Sequence, residues 1–274
     1  MTDILTETAE ANAAVEKFLH SGDAPAAPVL ESPEPGFFRL PGGFTRGGAG
    51  ADVVYEAEVR ELTGADEEYL DRVKRGKPEK FMDALIERGL VSIGDAPASK
   101  DNIGLLLTGD GEKVLLEIRR ATYGDTLEWD ELTCPHCGER FALTLSIDDI
   151  PMTTLAKSED RNFDVTLRRG GVAHCHLPRM ADLPTLPADA TDAEASTAML
   201  ANVIDTIEER GNVTFVAGAA DAVRSLGLAD RKAILTELSK RRIGPDLQAV
   251  SFTHDVCQKE VPFPLTAGDL FPGL

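Results

Sequence analysis

The chain has 274 residues, 42% of them hydrophobic and 27% charged, enough to bury a substantial core in one large or two small domains. Its 47 acidic residues against 28 basic ones give a net charge of −19. That balance argues against phosphate backbones as partners, because binding them depends on counterion release to Lys and Arg; basic protein surfaces remain as candidates. Four cysteines make no disulfide framework, no apolar run reaches the length of a membrane span, and MTDILTETAEA lacks the basic start and apolar run of a secretory signal. A reducing cytoplasm is the expected location, where a C-x-x-C is a metal or redox motif rather than a structural bridge.

In chain order, residues 1–36 are Ala-, Glu- and Pro-rich and read as a mobile acidic leader, with a short helix over 8–19. Folded structure is expected from Phe37-Phe38-Arg39-Leu40. The Gly-rich LPGGFTRGGAGAD that follows reads as a flexible loop. It lacks the Lys-Ser/Thr ending of a phosphate loop and the strand-to-helix setting of a dinucleotide-binding turn. VVYEAEVREL (53–62) alternates as a half-buried strand does. Thr63 with Asp66 predicts a capping box opening a helix to about Arg75. Pro78 starts the next, with Phe81, Met82, Leu85 and Ile86 on its apolar face and Gly89 as its stop. Asp110 caps a third helix, striped by Val114, Leu115 and Ile118 and ended by Gly124. Further on, FALTLSI alternates as a strand, and DLPTLPADATDAEAST (182–197) reads as a linker.

Displacing the sequence by 120 positions aligns it with itself. Asp110 falls on Asp230, Leu115 on Leu235, Glu117 on Glu237, Gly124 on Gly244, Leu127 on Leu247, Thr133 on Thr253, Cys137 on Cys257, Leu145 on Leu265 and Asp149 on Asp269. These nine identities fall within 41 ungapped positions. Roughly two or three would arise from ordinary composition. A shift of two more brings Glu87-Arg88-Gly89 onto Glu209-Arg210-Gly211, each expected to close an apolar-striped helix. The expected organisation is therefore an α+β tandem duplication of a helix-plus-short-strand unit, over 37–151 and 152–274.

CPHCGERF (134–141) offers two metal ligands, half of what a tetrahedral ion needs. The register supplies the rest: Cys134 and Cys137 fall on His254 and Cys257 in THDVCQKEVPFPLT. A two-residue gap in a tight turn points both side chains at one ion, and each turn leads into an alternating strand, FALTLSI or VPFPLT. Cys134, Cys137, His254 and Cys257 make a Cys₃His shell for one zinc ion. All four positions are filled by protein, so the zinc is structural rather than catalytic, a clamp between the halves in place of a large shared core. Each unit then ends in a zinc-knuckle or ribbon element.

His174-Cys175-His176 is the main competitor, with two imidazoles on one face of an apparent strand. No further ligand stands at a useful spacing, so a polar strand face around one buried cysteine is the simpler reading. His136 lies inside the first knuckle but points away from the ion, and His20 carries no signal. There is no nucleophile elbow and no HExxH, and no constellation marks an active site.

The order FRLPGGF, VVYEAEVRELTGADEEYL, LLLTGDGEKVLLEIRRATYG and CPHCGERFALTLSIDDIP resembles the baseplate hub assembly chaperones of T-even phages, a family also found in other contractile tails and injection-system gene clusters. The matching elements are Leu40-Pro41, Arg60 to Thr63, Gly109-Asp110, Ala121 to Gly124 and Cys134 to Gly138. They cover about 37–151 well and the second copy more loosely. The resemblance implies a non-enzymatic role in building the central hub of a contractile tail or injection machine. It implies hub or tail assembly proteins as partners; the acidic charge, the lack of an apolar span and the lack of an active-site constellation lead us to expect no nucleic acid, membrane or small-molecule substrate. The chain departs from the pattern at His254, where a second C-x-x-C is expected. Two other classes compete: a zinc-ribbon nucleic-acid or transcription adaptor, which the charge opposes, and a thiol oxidoreductase using Cys134 and Cys137.

Overall fold

The computed structural model describes residues 36–274 apart from 48–50, 78–79, 169 and 188. The leader before residue 36, its helix, His20 and the helix start at Pro78 lie outside the described residues. The first part of the described chain builds an antiparallel sheet in the order β1 (Gly36–Phe44), β2 (Val54–Val59), β3 (Leu90–Ile93) and β4 (Ala96–Pro97). Helices α1 (Gly64–Gly76) and α2 (Phe81–Gly89) connect β2 to β3, and α3 (Lys100–Leu105) and α4 (Thr108–Tyr123) follow the sheet. A hairpin of β5 (Thr126–Thr133) and β6 (Arg140–Ser146) comes next.

These elements form where local chemistry asks for them. The period of two along 53–62 sends Ala57 and Val59 into the core. α1 opens at Thr63, whose N–H and hydroxyl both donate to the Asp66 carboxylate at 2.9 Å. Leu70 of α1, Leu85 and Ile86 of α2, and Val114, Leu115 and Ile118 of α4 are all buried, as their helical spacing requires. Gly124 ends α4 with φ 86°, a left-handed cap that glycine adopts at little cost.

The glycine-rich loop is a correction. LPGGF belongs to β1, and its Leu40 and Phe44 are buried; the ladder with β2 is irregular between Arg39 and Phe44. The glycines serve close approach. A Cβ on Gly42 would stand 2.5 Å from Ile243 and 2.9 Å from the Asp110 carboxylate, and Gly43 has φ 83°. Both glycine N–H groups donate to Asp110 Oδ1, so the stretch reads as a loop by composition yet is fixed to the start of α4.

The remainder follows a similar order of elements, with one α-helix inside its sheet where the first part has two. After β7 (Met152–Thr153), strands β8 (Asn162–Thr166), β9 (Val172–His176), β10 (Ile204–Glu209) and β11 (Asn212–Phe215) form a second antiparallel sheet in sequential order. α5 (Asp192–Val203) lies between β9 and β10, and α6 (Ala220–Ser225) and α7 (Leu228–Lys240) follow the sheet. β12 (Gly244–Pro245), a hairpin of β13 (Ser251–Thr253) and β14 (Glu260–Pro262), and α8 (Ala267–Leu270) complete the chain. α6 starts and ends 120 positions after α3, and Gly124 and Gly244 share positive φ. Asp110 and Asp230, in the first turns of α4 and α7, each accept a backbone N–H from the first strand of their own sheet or the residues just after it.

Three further expectations change. The 182–197 linker ends in helix, because Thr191 and Glu194 form a capping box that opens α5 at Asp192. Glu209-Arg210-Gly211 closes no helix: Arg210 and Gly211, with φ 53° and 77°, are the turn of the β10–β11 hairpin, so its likeness to the end of α2 is fortuitous. VPFPLT is strand only as far as Pro262, since Pro262 and Pro264 have no N–H for a ladder.

The apolar residues form two clusters. Val250, Leu265, Leu270 and Phe271 from the C-terminal stretch join the cluster of the first sheet, and Leu107 joins that of the second. Gly109 and Gly244 meet so closely that a Cβ on Gly244 would stand 2.5 Å from the Gly109 Cα. Arg161 donates to the carbonyls of Gly42 and Gly43, the Leu155 N–H donates to the Pro41 carbonyl, and the Met180 N–H to the Leu106 carbonyl. A metal clamp therefore does not substitute for shared packing; the halves have both apolar and backbone contacts of their own.

Candidate metal centre

The turns of β5–β6 and β13–β14 have the same backbone wiring. In the first, Cys134 N–H donates to the Glu139 carbonyl and Gly138 N–H to the Cys134 carbonyl, each at 2.9 Å. In the second, His254 N–H donates to the Lys259 carbonyl at 3.0 Å and Gln258 N–H to the His254 carbonyl at 2.8 Å. Every partner is displaced by 120 positions. The fifth residue of each turn is left-handed, with φ 75° at Gly138 and 53° at Gln258.

The two turns face each other and bring one ligand atom from each of Cys134, Cys137, His254 and Cys257 within 4.8 Å of all the others. Cys134 Sγ lies 3.8 Å from Cys257 Sγ, and His254 Nδ1 lies 3.5 Å from Cys137 Sγ and 3.3 Å from Cys257 Sγ. With metal–sulfur bonds of about 2.3 Å and metal–nitrogen bonds of about 2.0–2.1 Å, a tetrahedron has edges of about 3.8 Å between sulfurs and about 3.5 Å from sulfur to nitrogen. The spacing fits. The sulfur pair is too far apart for a disulfide, and all four cysteines of the chain are free thiols.

The electrostatics also suit a cation. Burial opposes ionisation of Cys134, yet the N–H groups of Cys137 and His136 outweigh it and hold the thiol below its ordinary range. The Glu139 N–H favours a thiolate at Cys137, but burial and the sulfurs of Cys134 and Cys257 keep that thiol above its ordinary range. Such crowded sulfurs repel one another once ionised, and a divalent ion among them relieves the repulsion. Cys134 and His254 are buried, so the centre is closed on one side. His136 is turned from it, with Nε2 3.2 Å from the Glu260 carbonyl. The first C-x-x-C leads into a strand and does not open a helix, so it lacks the helix N-terminus that activates redox pairs.

Residues that the ligand spacing did not reveal hold the hairpins together. Phe141 packs tilted against the His254 ring, centroids 4.7 Å apart, and lies 5.4 Å from Phe252. Phe263 meets both Phe252 and Trp129 edge-on. The aromatic run F-x-H (252–254) and V-P-F-P (261–264) is the sequence signal for this layer, but only the facing hairpins give it meaning.

The competing cluster disperses. His174 and Cys175 lie in β9 with His176, and the imidazoles go to separate carboxylates: His174 to Asp164 at 2.7 Å, His176 to Asp205 and Asp182 at 3.0 and 3.1 Å. Burial lowers the pKa of His176, but the two aspartates outweigh it and leave it raised. Cys175 is buried, its thiol pushed up to about 12 by burial and by Asp205 and Asp164. Among the described residues, the Cys₃His set is the group of His, Cys, Asp or Glu side chains with metal-binding geometry. No described helix is long and apolar enough to cross a membrane.

Residues 52–222 match the family model described as T4 bacteriophage base plate protein. The matched span includes Cys134 and Cys137 and stops before His254 and Cys257. Neither the curated proteins nor the solved structures give a match. With more than half of its length matched, the chain belongs to the T4 bacteriophage base plate protein family.

Proposed function

We propose that this baseplate-family chain is a non-enzymatic hub assembly chaperone or hub component of a contractile phage tail or injection system. Its halves, 37–151 and 152–274, descend from a tandem duplication, and one structural zinc held by Cys134, Cys137, His254 and Cys257 joins their terminal knuckles. The observation that supports the zinc is the gathering of the four ligand atoms within 4.8 Å of one another, across two turns of matching backbone. Family membership supports the baseplate role. The repeated sheet order, with matching helices and turns 120 positions apart, supports the duplication. The net charge of −19 supports salt-sensitive docking to basic protein surfaces in the cytoplasm of the producing cell and disfavours nucleic acid.

Deleting the gene from a producing strain and imaging its tails tests the role. Baseplates that lack a complete hub, restored by the wild-type gene in trans, are the expected result. Complete, contractile particles from the deletion strain contradict it. Mass spectrometry of purified wild-type particles then separates a resident component, present in every particle, from a chaperone that leaves.

A further inference from the structure

The segment from Arg72 to Lys80 carries five cations and one anion in a chain whose net charge is −19. Arg72, Lys77 and Lys80 of this run, with residues of α1, α2 and the start of α3, line a concave surface of about 590 Å³. Its apolar part is Tyr69, half-buried Val73 and buried Ala84; its rim is Arg72, Lys77, Lys80 and Lys100, all exposed. Asp83 and Glu87 also line it. Among the described residues, Lys77, Lys80 and Lys100 make no ion pair, and Arg72 has only the exposed Glu68 at 3.6 Å. One wall is preorganised. Buried Asp66 accepts from Arg88 Nε at 2.6 Å, and the Arg88 guanidinium lies over the Tyr69 ring at 5.2 Å.

We propose that this groove docks an acidic amphipathic segment of a baseplate partner. One apolar side chain sits between α1 and α2, and carboxylates flanking it meet the lysine rim. The proposal rests on the baseplate assembly reading. Its basis is charge complementarity: the groove gathers Arg72, Lys77, Lys80 and Lys100 on one rim of an otherwise acidic molecule, so it attracts the kind of segment the remaining surface repels. An apolar floor rewards an anchoring side chain, and the lysine stems extend that floor while their ammonium groups stay in water. A lipid surface fits poorly, because a flat anionic membrane would face the acidic remainder of the chain.

The test uses the full chain in cells that assemble the particle. A photo-crosslinking benzoylphenylalanine replaces Glu87, which lines the groove and leaves every rim cation in place; a second replaces Asp164 on the other sheet as a control. The expected result is a crosslink from position 87, and not from 164, to one baseplate protein. The joined peptide should be rich in Asp and Glu around an apolar residue. Lys77→Glu, Lys80→Glu and Lys100→Glu together should cut the yield by at least about tenfold, with circular dichroism unchanged. Acidic-to-basic changes in the crosslinked peptide should restore it. A crosslink to lipid, to a basic segment, or equally from both positions overturns the proposal. So does no crosslink at 87 while the tagged chain still captures baseplate proteins. If the tagged chain captures none of them, the assembly reading itself fails and takes the groove with it.

Discussion

The first knuckle sits between strands of eight and seven residues, the second between strands of three and three. Their backbones agree hydrogen bond for hydrogen bond, yet the first has Gly138 at its left-handed position and the second has Gln258. A three-residue ladder next to two prolines is too short to stand alone, and a left-handed Gln adds a cost of about 1–2 kcal/mol. The second hairpin is thus held from outside, by Phe252 and Phe263 packed on Phe141 and Trp129 and by the approach of His254 and Cys257 to Cys134 and Cys137. The proposed zinc would then do unequal work: it would complete one hairpin and create the other.

Removing the metal is the strongest way to break that inequality. Chelation, or Cys257→Ser, should lower stability by roughly 5 kcal/mol or more, since binding to such a site is largely folding free energy. Amide exchange should then rise first and most in β13 and β14, while β5 and β6 keep most of their protection. Equal loss in both hairpins would show that the second does not lean on the first.

A smaller contrast lies in the two capping boxes. Asp66 is fully buried between Arg60 and Arg88, whereas the Thr191–Glu194 pair is exposed. Asp66→Ala should cost about 2–4 kcal/mol at pH 7, because it strips a buried anion from two guanidiniums and a helix cap. Glu194→Ala should leave the urea midpoint nearly unmoved. Burial pushes the Asp66 pKa up, but Arg60, Thr63 and Arg88 outweigh it and hold the carboxyl well below the usual range. Its stabilisation is present above the unfolded value of about 3.9 and is lost as pH falls toward and through the folded value. Asp110 slopes the other way. Burial raises it to about 6 despite the Gly42 and Gly43 N–H groups and Arg161, so stability declines as pH rises from about 4 to about 6. Urea midpoints against pH should show Asp110→Asn flattening that decline and Asp66→Ala flattening the acid limb below it.

The mildest test exchanges the left-handed residues. Gln258→Gly should stabilise by up to about 1 kcal/mol, the relief of backbone strain less the added unfolded-state entropy. Gly138→Gln should destabilise by a similar amount. A thermal melt of each variant with metal bound reads both.

The gathering of Cys134, Cys137, His254 and Cys257 was legible because a C-x-x-C and an H-x-x-C carry their geometry in their spacing, and the 120-position register paired them. The helices were legible where a cap and an apolar stripe agreed, as at Thr63–Asp66 and Asp110–Gly124. LPGGF was misread because composition cannot tell a glycine kept for freedom from one kept for close approach; Asp110, 67 and 68 residues on, decides it. Arg210-Gly211 was misread because three matching letters hide whether the chain before them has period 3.6 or period two; Ile204 and Ile207, three apart, fit the helical period, and the strand carries a register irregularity between Ile204 and Thr206. The packing of Phe271 into the first sheet's core could not be foreseen, since nothing local to the C-terminal stretch names its neighbour.

X-ray absorption on the purified full-length protein probes the joint ion most directly. One zinc per chain is expected, with three sulfurs at about 2.3 Å and one imidazole nitrogen at about 2.0–2.1 Å, the nitrogen signal vanishing in His254→Cys. Protein that carries no zinc, or zinc ringed by four sulfurs in the wild-type chain, would contradict the pairing of the two knuckles.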